Sequence, residues 1–246
     1  MHEFLREVAD LQPSWTNKNT PVMQRRGILI RQAIPRWLKG HIGDLAPLLG
    51  PAGLECEIEG RDGTGQKSEI PWVRVYSRSR SPSANEGWYC GYLFRSDGTG
   101  LYLCLVHAST RYQDGEFKPR PPEELAGLVA WAKEALGSKL AVQLGLASEI
   151  KLHSRGQLGE AYERGTVCSK FYYATELPGE HVLLDDLKSF VCLLRILYDA
   201  DDLGRSPESR EPEVRAAEQL AEALAAPLRS RARIGQGFGL DFEVLG

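Results

Sequence analysis

Ile70-Pro71-Trp72-Val73-Arg74-Val75-Tyr76, a polar basic loop, and then Gly87-Trp88-Tyr89-Cys90-Gly91-Tyr92-Leu93-Phe94-Arg95 decide how this chain is read. Side chains two apart on a strand share a face. The first run therefore puts Trp72, Arg74 and Tyr76 on one side and Val73 and Val75 on the other. In the second run Trp88 and Tyr92 oppose Tyr89, so these two are the candidates for the core. Gly87 and Gly91 flank Tyr89 on its own face and leave room for something flat. Large aromatics at alternating positions most often fill a core. Trp, Arg and Tyr together on one strand face instead suit a surface that stacks a flat, polar-edged ligand.

Working outward, Ser96-Asp97-Gly98-Thr99-Gly100 is a tight hairpin connection, and Leu101–His107 is the returning strand. Leu54–Glu59 alternates apolar and acidic residues and reads as a half-buried strand. The result is an antiparallel meander. Helices surround it. Residues 2–11 are amphipathic. Thr20 as cap with Pro21 at the first helical position opens a second helix that runs to Pro35. Arg36–Leu49 has helical spacing and is closed by Gly50-Pro51. Pro121-Pro122-Glu123-Glu124 opens a helix stopped by Gly137. Glu149–His153 is expected as a short strand, and Phe171-Tyr172-Tyr173 as packing between helix layer and sheet. Leu183–Tyr198 is a strong amphipathic helix. The fold class is α/β of the α+β kind: a curved, mainly antiparallel β-sheet packed by helices, with a C-terminal helical extension. The charged, apolar-poor stretch after Asp199 sets a boundary, giving a domain over 1–203. Residues 204–246 then form a linker, a helix over Glu213–Leu228 and a tail leading to a further domain.

Composition narrows the class. Hydrophobic residues make up 42% and charged ones 26%, as in a soluble globular protein. No apolar run approaches the ~20 residues that span a bilayer. The N-terminus is acidic and amphipathic, not a signal peptide, so no membrane partner and a cytoplasmic location are expected. The five cysteines include no Cys-x-x-Cys pair, and the five histidines are scattered, so no metal site is expected. The net charge of −3 does not favour a polyanion. The distribution is uneven, however. Residues 1–120 hold 16 Lys+Arg against 13 Asp+Glu, whereas 121–246 hold 14 against 20. The N-terminal half is the side that could face nucleic acid.

Gly60-Arg61-Asp62-Gly63-Thr64-Gly65-Gln66-Lys67-Ser68 looks at first like a phosphate-binding loop. It fails because Gln66 separates the last glycine from the lysine and a strand, not a helix, follows. It reads better as a loop rimming the sheet, with Arg61 and Lys67 available to phosphates. The Gly-x-Gly-x-Gly at Gly235 neither follows a strand nor opens a helix. Ser77-Arg78-Ser79-Arg80-Ser81 adds basic side chains beside the aromatic face, which can meet a phosphate backbone while the rings stack on bases. No clustered carboxylates with a lysine, no Gly-x-Ser-x-Gly elbow and no cysteine with a histidine partner are visible, so no catalytic residue and no cofactor is assigned.

Ile70-Pro71-Trp72 followed by Gly87-x-Tyr89-x-x-x-Leu93 resembles the McrB-like N-terminal DNA-binding domains of modification-dependent (type IV) restriction systems. Met23-Gln24-Arg25-Arg26-Gly27 in an early helix, Tyr92-Leu93-Phe94 in the second strand and the closing helix near Leu183–Tyr198 follow the same order. The resemblance implies a non-enzymatic specificity module of a phage-defence system. Its partner would be double-stranded DNA carrying a modified cytosine of the 5-methyl or 5-hydroxymethyl type, flipped into an aromatic pocket. Carried over by position, Trp72, Tyr89 and Leu93 line that pocket. Arg61, Lys67, Arg74, Arg78 and Arg80 are assigned to the DNA backbone. Any cleavage would come from a downstream nuclease domain or a nuclease partner. The alternative is a protein-interaction or assembly module of a defence complex, with the aromatic face docking a partner.

Overall fold

Apolar and acidic residues alternate in β1 (Cys56–Arg61), whereas β2 (Trp72–Ser77), β3 (Trp88–Phe94) and β4 (Gly100–His107) are rich in apolar and aromatic residues and are buried on both faces. A separate hairpin follows, β5 (Thr110–Gln113) and β6 (Glu116–Pro119), and then β7 (Thr166–Tyr173). The main sheet is open, antiparallel throughout, in the order β1-β2-β3-β4-β7. The structure is a computed structural model that describes residues 1–205 and 207, apart from 64, 114 and 143–145. Within it Met1–Leu203 form one compact unit. The expected helix over Glu213–Leu228 and the Gly235 motif lie outside the described residues.

The two sheet faces divide as the alternation requires. Val73, Val75, Trp88, Cys90, Tyr92 and Phe94 point into a core closed by the long helix α8 and its neighbours. The helices in chain order are α1 (His2–Leu11), α2 (Pro21–Ile28), α3 (Ile34–Lys39), α4 (Ile42–Leu45), α5 (Pro122–Leu136), α6 (Ser138–Val142), α7 (Gln157–Arg164) and α8 (Glu180–Asp202). Leu183, Leu187, Phe190, Val191, Leu194 and Leu197 on α8 are all buried, a stripe at helical spacing. The Tyr198 hydroxyl donates to the Trp88 carbonyl (2.8 Å) and accepts from the Ser77 amide (3.1 Å), pinning α8 to β2 and β3. The expected core positions of Trp88 and Tyr92 are the observed ones, at 2% and 1% exposure.

Four expectations needed correction. Pro35 does not end the second helix. A π-helical turn over Leu29–Ala33 carries the chain from α2 into α3, where Pro35 stands in the first turn and its missing N–H costs nothing. That wide turn brings the Ile30 carbonyl against β1, and a Cβ on Gly60 would sit 1.8 Å from it. Gly60 therefore serves backbone packing, not phosphate binding. Arg36–Leu49 is not one helix. It breaks at Gly40 and His41, and a 3-10 stretch over Ala46–Glu55 turns at Gly50, whose φ is +61°. Glu149–His153 is not a strand, yet Ile150 and Leu152 are buried against the sheet's second face. Phe171-Tyr172-Tyr173 ends the edge strand β7. Tyr172 joins the helix layer, with its hydroxyl on Asp186 (2.9 Å), while Phe171 turns the other way onto Tyr102 (4.7 Å between ring centroids).

Candidate nucleic-acid interface

The second face of the sheet carries a different set of side chains. Tyr76, Tyr89, Leu93, Tyr102, Cys104 and Val106 form a smaller core with Trp72, Tyr162 and Phe171 at its margin. Ile150, Leu152 and α7 cover part of this face. Where the cover stops, a cavity of about 500 Å³ opens at the start of β2. Its apolar wall is Ile70, Trp72, Tyr89, Phe117, Leu158 and Tyr162. Its polar rim includes Arg61, Gln66, Lys67, Glu69, Asn85 and Thr110. A concave site that joins four aromatic side chains to a polar and charged rim has the character of a ligand pocket.

Strand register sets the spacing of the two rings singled out by the sequence. Trp72 pairs with Leu93 and Arg74 with Gly91, so Tyr89 stands four residues from the level of Trp72, roughly 13 Å along the strands. The rings do not face each other across a bare slot. The Arg74 guanidinium stacks on Tyr76 at 3.6 Å from the ring centroid and lies 5.5 Å from Tyr89 and 5.9 Å from Trp72. The space beside Gly91 is taken by the Tyr89 ring itself, 3.7 Å from where a Cβ would be. The flat gap expected beside the glycines is therefore filled, and the open volume lies toward Ile70, Phe117 and Tyr162. Burial pushes the Tyr162 hydroxyl pKa up, against a hydrogen bond from Trp72 that lowers it. Burial likewise raises that of Tyr89. Both hydroxyls stay neutral at physiological pH, so these walls are apolar rings with uncharged tips.

The loops around the mouth are anchored from behind by buried polar networks. Asp62 and Arg26 are both fully buried and form an ion pair at 2.6 Å. Asp62 also accepts from Lys67 (2.7 Å), and Arg26 donates to the Ser68 carbonyl (2.7 Å) and to Gln12 (2.6 Å). Gln12 in turn donates to the Glu69 and Arg95 carbonyls, each at 3.1 Å. Every buried group in the set has a partner, which is the condition for such a network to rigidify rather than destabilise. Glu69 accepts from Ser154 (2.8 Å) and from the Arg155 amide, fixing the loop that leads into α7. Thr110 donates to Asn85 (2.8 Å), tying the β5–β6 hairpin to the loop before β3.

The residues assigned to the DNA backbone fall into three groups. Arg61 and Lys67 rim the cavity. Arg61 is 57% exposed beside Glu59, and Lys67 is 10% exposed on Asp62. Arg78 and Arg80 follow the opposite end of β2, are absent from the cavity lining, and pair with Glu57 and Asp202. Arg74 is contrary to the expectation of a phosphate-facing side chain. It is 2% exposed and donates to Glu59 (2.9 Å), Ser81 (2.9 Å) and the Ser83 carbonyl (2.9 Å). Its work is to hold the 78–87 loop over the tyrosines. Leu93 is also displaced from its expected role. At 2% exposure it packs beneath Trp72 in the small core and does not line the cavity. Sequence reasoning missed Ile70, Phe117, Leu158 and Tyr162. Leu158 and Tyr162 are four apart on α7, a pairing visible only once that helix is recognised.

Among the described residues no group of three or more His, Cys, Asp or Glu is placed to hold a metal ion, and no helix is long and apolar enough to cross a membrane. The fold and cavity define an α+β binding domain with an aromatic pocket framed by loops. Within that class, the family described as "MrcB-like, N-terminal domain" matches residues 13–199, and the chain belongs to it. Membership places the chain among the binding modules of DNA restriction systems. No curated protein and no solved structure matches the chain.

Proposed function

We propose that this domain binds double-stranded DNA containing a modified cytosine and holds that base, flipped out of the helix, in the cavity at the start of β2. The observation that carries the reading is a cavity of about 500 Å³ with Trp72 and Tyr89 in its wall, in a member of a restriction-system family. Flipping costs a few kcal/mol of unpairing and unstacking. Stacking on one aromatic side chain returns about 1–3 kcal/mol, so two or three rings offset the cost. A buried 5-methyl group adds only about 0.8 kcal/mol, and discrimination then depends on the polar rim around Asn85, Thr110 and Glu69. In this reading Arg61 and Lys67 meet phosphates beside the cavity, and Arg78 and Arg80 do so only on exchanging their carboxylate partners for DNA. Residues 1–203 act as the recognition module, cytoplasmic and without chemistry of its own. Cleavage falls to a nuclease domain or partner.

The test is binding of the full chain to labelled duplexes with and without 5-methylcytosine or 5-hydroxymethylcytosine, at two salt concentrations. A reader prefers a modified duplex and loses affinity as salt rises. The second reading, a protein-docking module, is favoured by one observation: Arg61, Arg78 and Arg80 already face Glu59, Glu57 and Asp202. Equal, weak binding to all duplexes at both salts would decide for it.

A further inference from the structure

The β5–β6 hairpin is a two-stranded ribbon outside the main sheet. Its outer surface is unusual. Tyr112 is 64% exposed and Phe117 46% exposed, and they sit directly across from each other with ring centroids 5.1 Å apart, edge to face. Two large rings held against one another in solvent gain little for the stability of the free protein. Phe117 is at the same time part of the cavity wall, so the ring pair runs unbroken from the cavity mouth to solvent. Leu158, 38% exposed, continues the apolar margin from α7. The base of the ribbon is fixed. Thr110 holds Asn85, Arg120 donates to the Asn85 carbonyl (3.0 Å) and to Glu124 (2.6 Å), and Arg111 pairs with Glu124 (2.6 Å).

We propose that this ribbon is a wedge: it enters a groove of the duplex, and Tyr112 occupies the gap that the extruded base leaves in the stack. This rests on the base-flipping reading above and adds to it the element that keeps the base out. A groove of B-form DNA is wide enough for a two-stranded β-ribbon. An aromatic ring that fills the vacancy stacks on the bases to either side and recovers part of the stacking that extrusion forfeits. The occupant is the base stack of duplex DNA and not another protein, because the ring pair is continuous with the cavity and a flipped base must leave its hole beside the cavity that receives it.

The experiment uses the full chain, Tyr112→Ala and Tyr112→Phe. The duplexes carry 5-methylcytosine or 5-hydroxymethylcytosine opposite guanine, with 2-aminopurine as the neighbouring base, whose fluorescence rises on unstacking. A second set carries unmodified cytosine, which this reading leaves in the stack, so that no gap opens. For the modified duplex, Tyr112→Ala should bind about tenfold more weakly and, at saturation, show a larger fluorescence rise because no ring restacks on the 2-aminopurine, while Tyr112→Phe stays near the parent. On the unmodified duplex the three proteins should agree within about twofold. Parent-like affinity and fluorescence in Tyr112→Ala overturn the wedge and leave base flipping intact. An equal loss on both duplexes also overturns it, since the ring would then be an ordinary contact. If the parent shows neither modification preference nor fluorescence rise, the reading beneath it falls and the wedge with it.

Discussion

The two faces of one sheet have been given opposite tasks. The face toward α8 is closed: Leu101, Leu103, Leu105, Val73 and Val75 are each at most 1% exposed, and α8 covers them with a stripe of leucines. The other face is built of tyrosines, a buried arginine and a tryptophan, and its cover stops short of the start of β2. Both faces exclude water from the sheet centre. They differ in what holds them. Apolar packing, pinned by the two hydrogen bonds of Tyr198, holds the closed face, whereas ion pairs and hydrogen bonds hold the frame of the open one: Arg26–Asp62, Arg74–Glu59, Glu69–Ser154. Apolar contacts fill space without direction. A mouth that must stay open needs directional bonds that fix its loops from outside.

That contrast can be broken at its frame first. Asp62→Ala leaves the buried Arg26 and the nearly buried Lys67 without their carboxylate. Removing one side of a buried ion pair costs about 3–5 kcal/mol, and here Arg26, Lys67 and the more exposed Arg31 all lose the same carboxylate. Chemical denaturation should show a loss of that size, accompanied by loss of modified-DNA binding because residues 66–69 are released. A loss below about 1 kcal/mol would mean that this network is not what frames the mouth. Next comes Leu103→Ala on the closed face. Leu103 is fully buried, and the change should cost about 2–5 kcal/mol. Measured at a temperature where the variant remains folded, its affinity for the modified duplex should stay within about twofold of the parent. If affinity falls in step with stability, the faces are not independent.

Much of this division was legible in residues 70–107, because strand alternation and an Asp-Gly turn act locally. The Arg95 amide meets the Gly100 carbonyl at 3.1 Å, with Gly98 at φ +73°, as the turn chemistry requires. Hence the assignment of Trp72 and Tyr89 to the opposite face from Trp88 and Tyr92. Thr20 capping was equally local, with its hydroxyl accepting from the Met23 amide. The rest depended on partners distant in sequence. Nothing near Arg74 announces that Glu59, Ser81 and Ser83 will take up its guanidinium, so it read as a free basic side chain. Phe117 and Tyr162 reach the cavity from elements far along the chain, and β7, with its mixed Thr166-Val167-Cys168-Ser169 start, lacks a clean alternation signal. Pro35 misled for a physical reason: the π turn ahead of it removes the bond that proline would have broken.

Trp72→Ala is the smallest change in stability and the sharpest cut through the comparison. The indole is half-buried at the start of β2 and lines the cavity, so its removal enlarges a space that already opens to solvent. A void that water can enter costs less than one sealed in a core, and a loss of about 1–2 kcal/mol is expected on unfolding. Binding should suffer more specifically. One stacking platform is worth about 1–3 kcal/mol, a weakening of roughly five- to 150-fold for the modified duplex. Binding to the unmodified duplex should change little, because phosphate contacts do not need the ring. Trp72→Phe should recover most of the lost affinity, since it restores a ring face but not the indole N–H that meets Tyr162. Were Trp72→Ala instead to unfold the domain while leaving the affinity of the folded fraction untouched, the ring would belong to the packing of the sheet, and both faces would be cores.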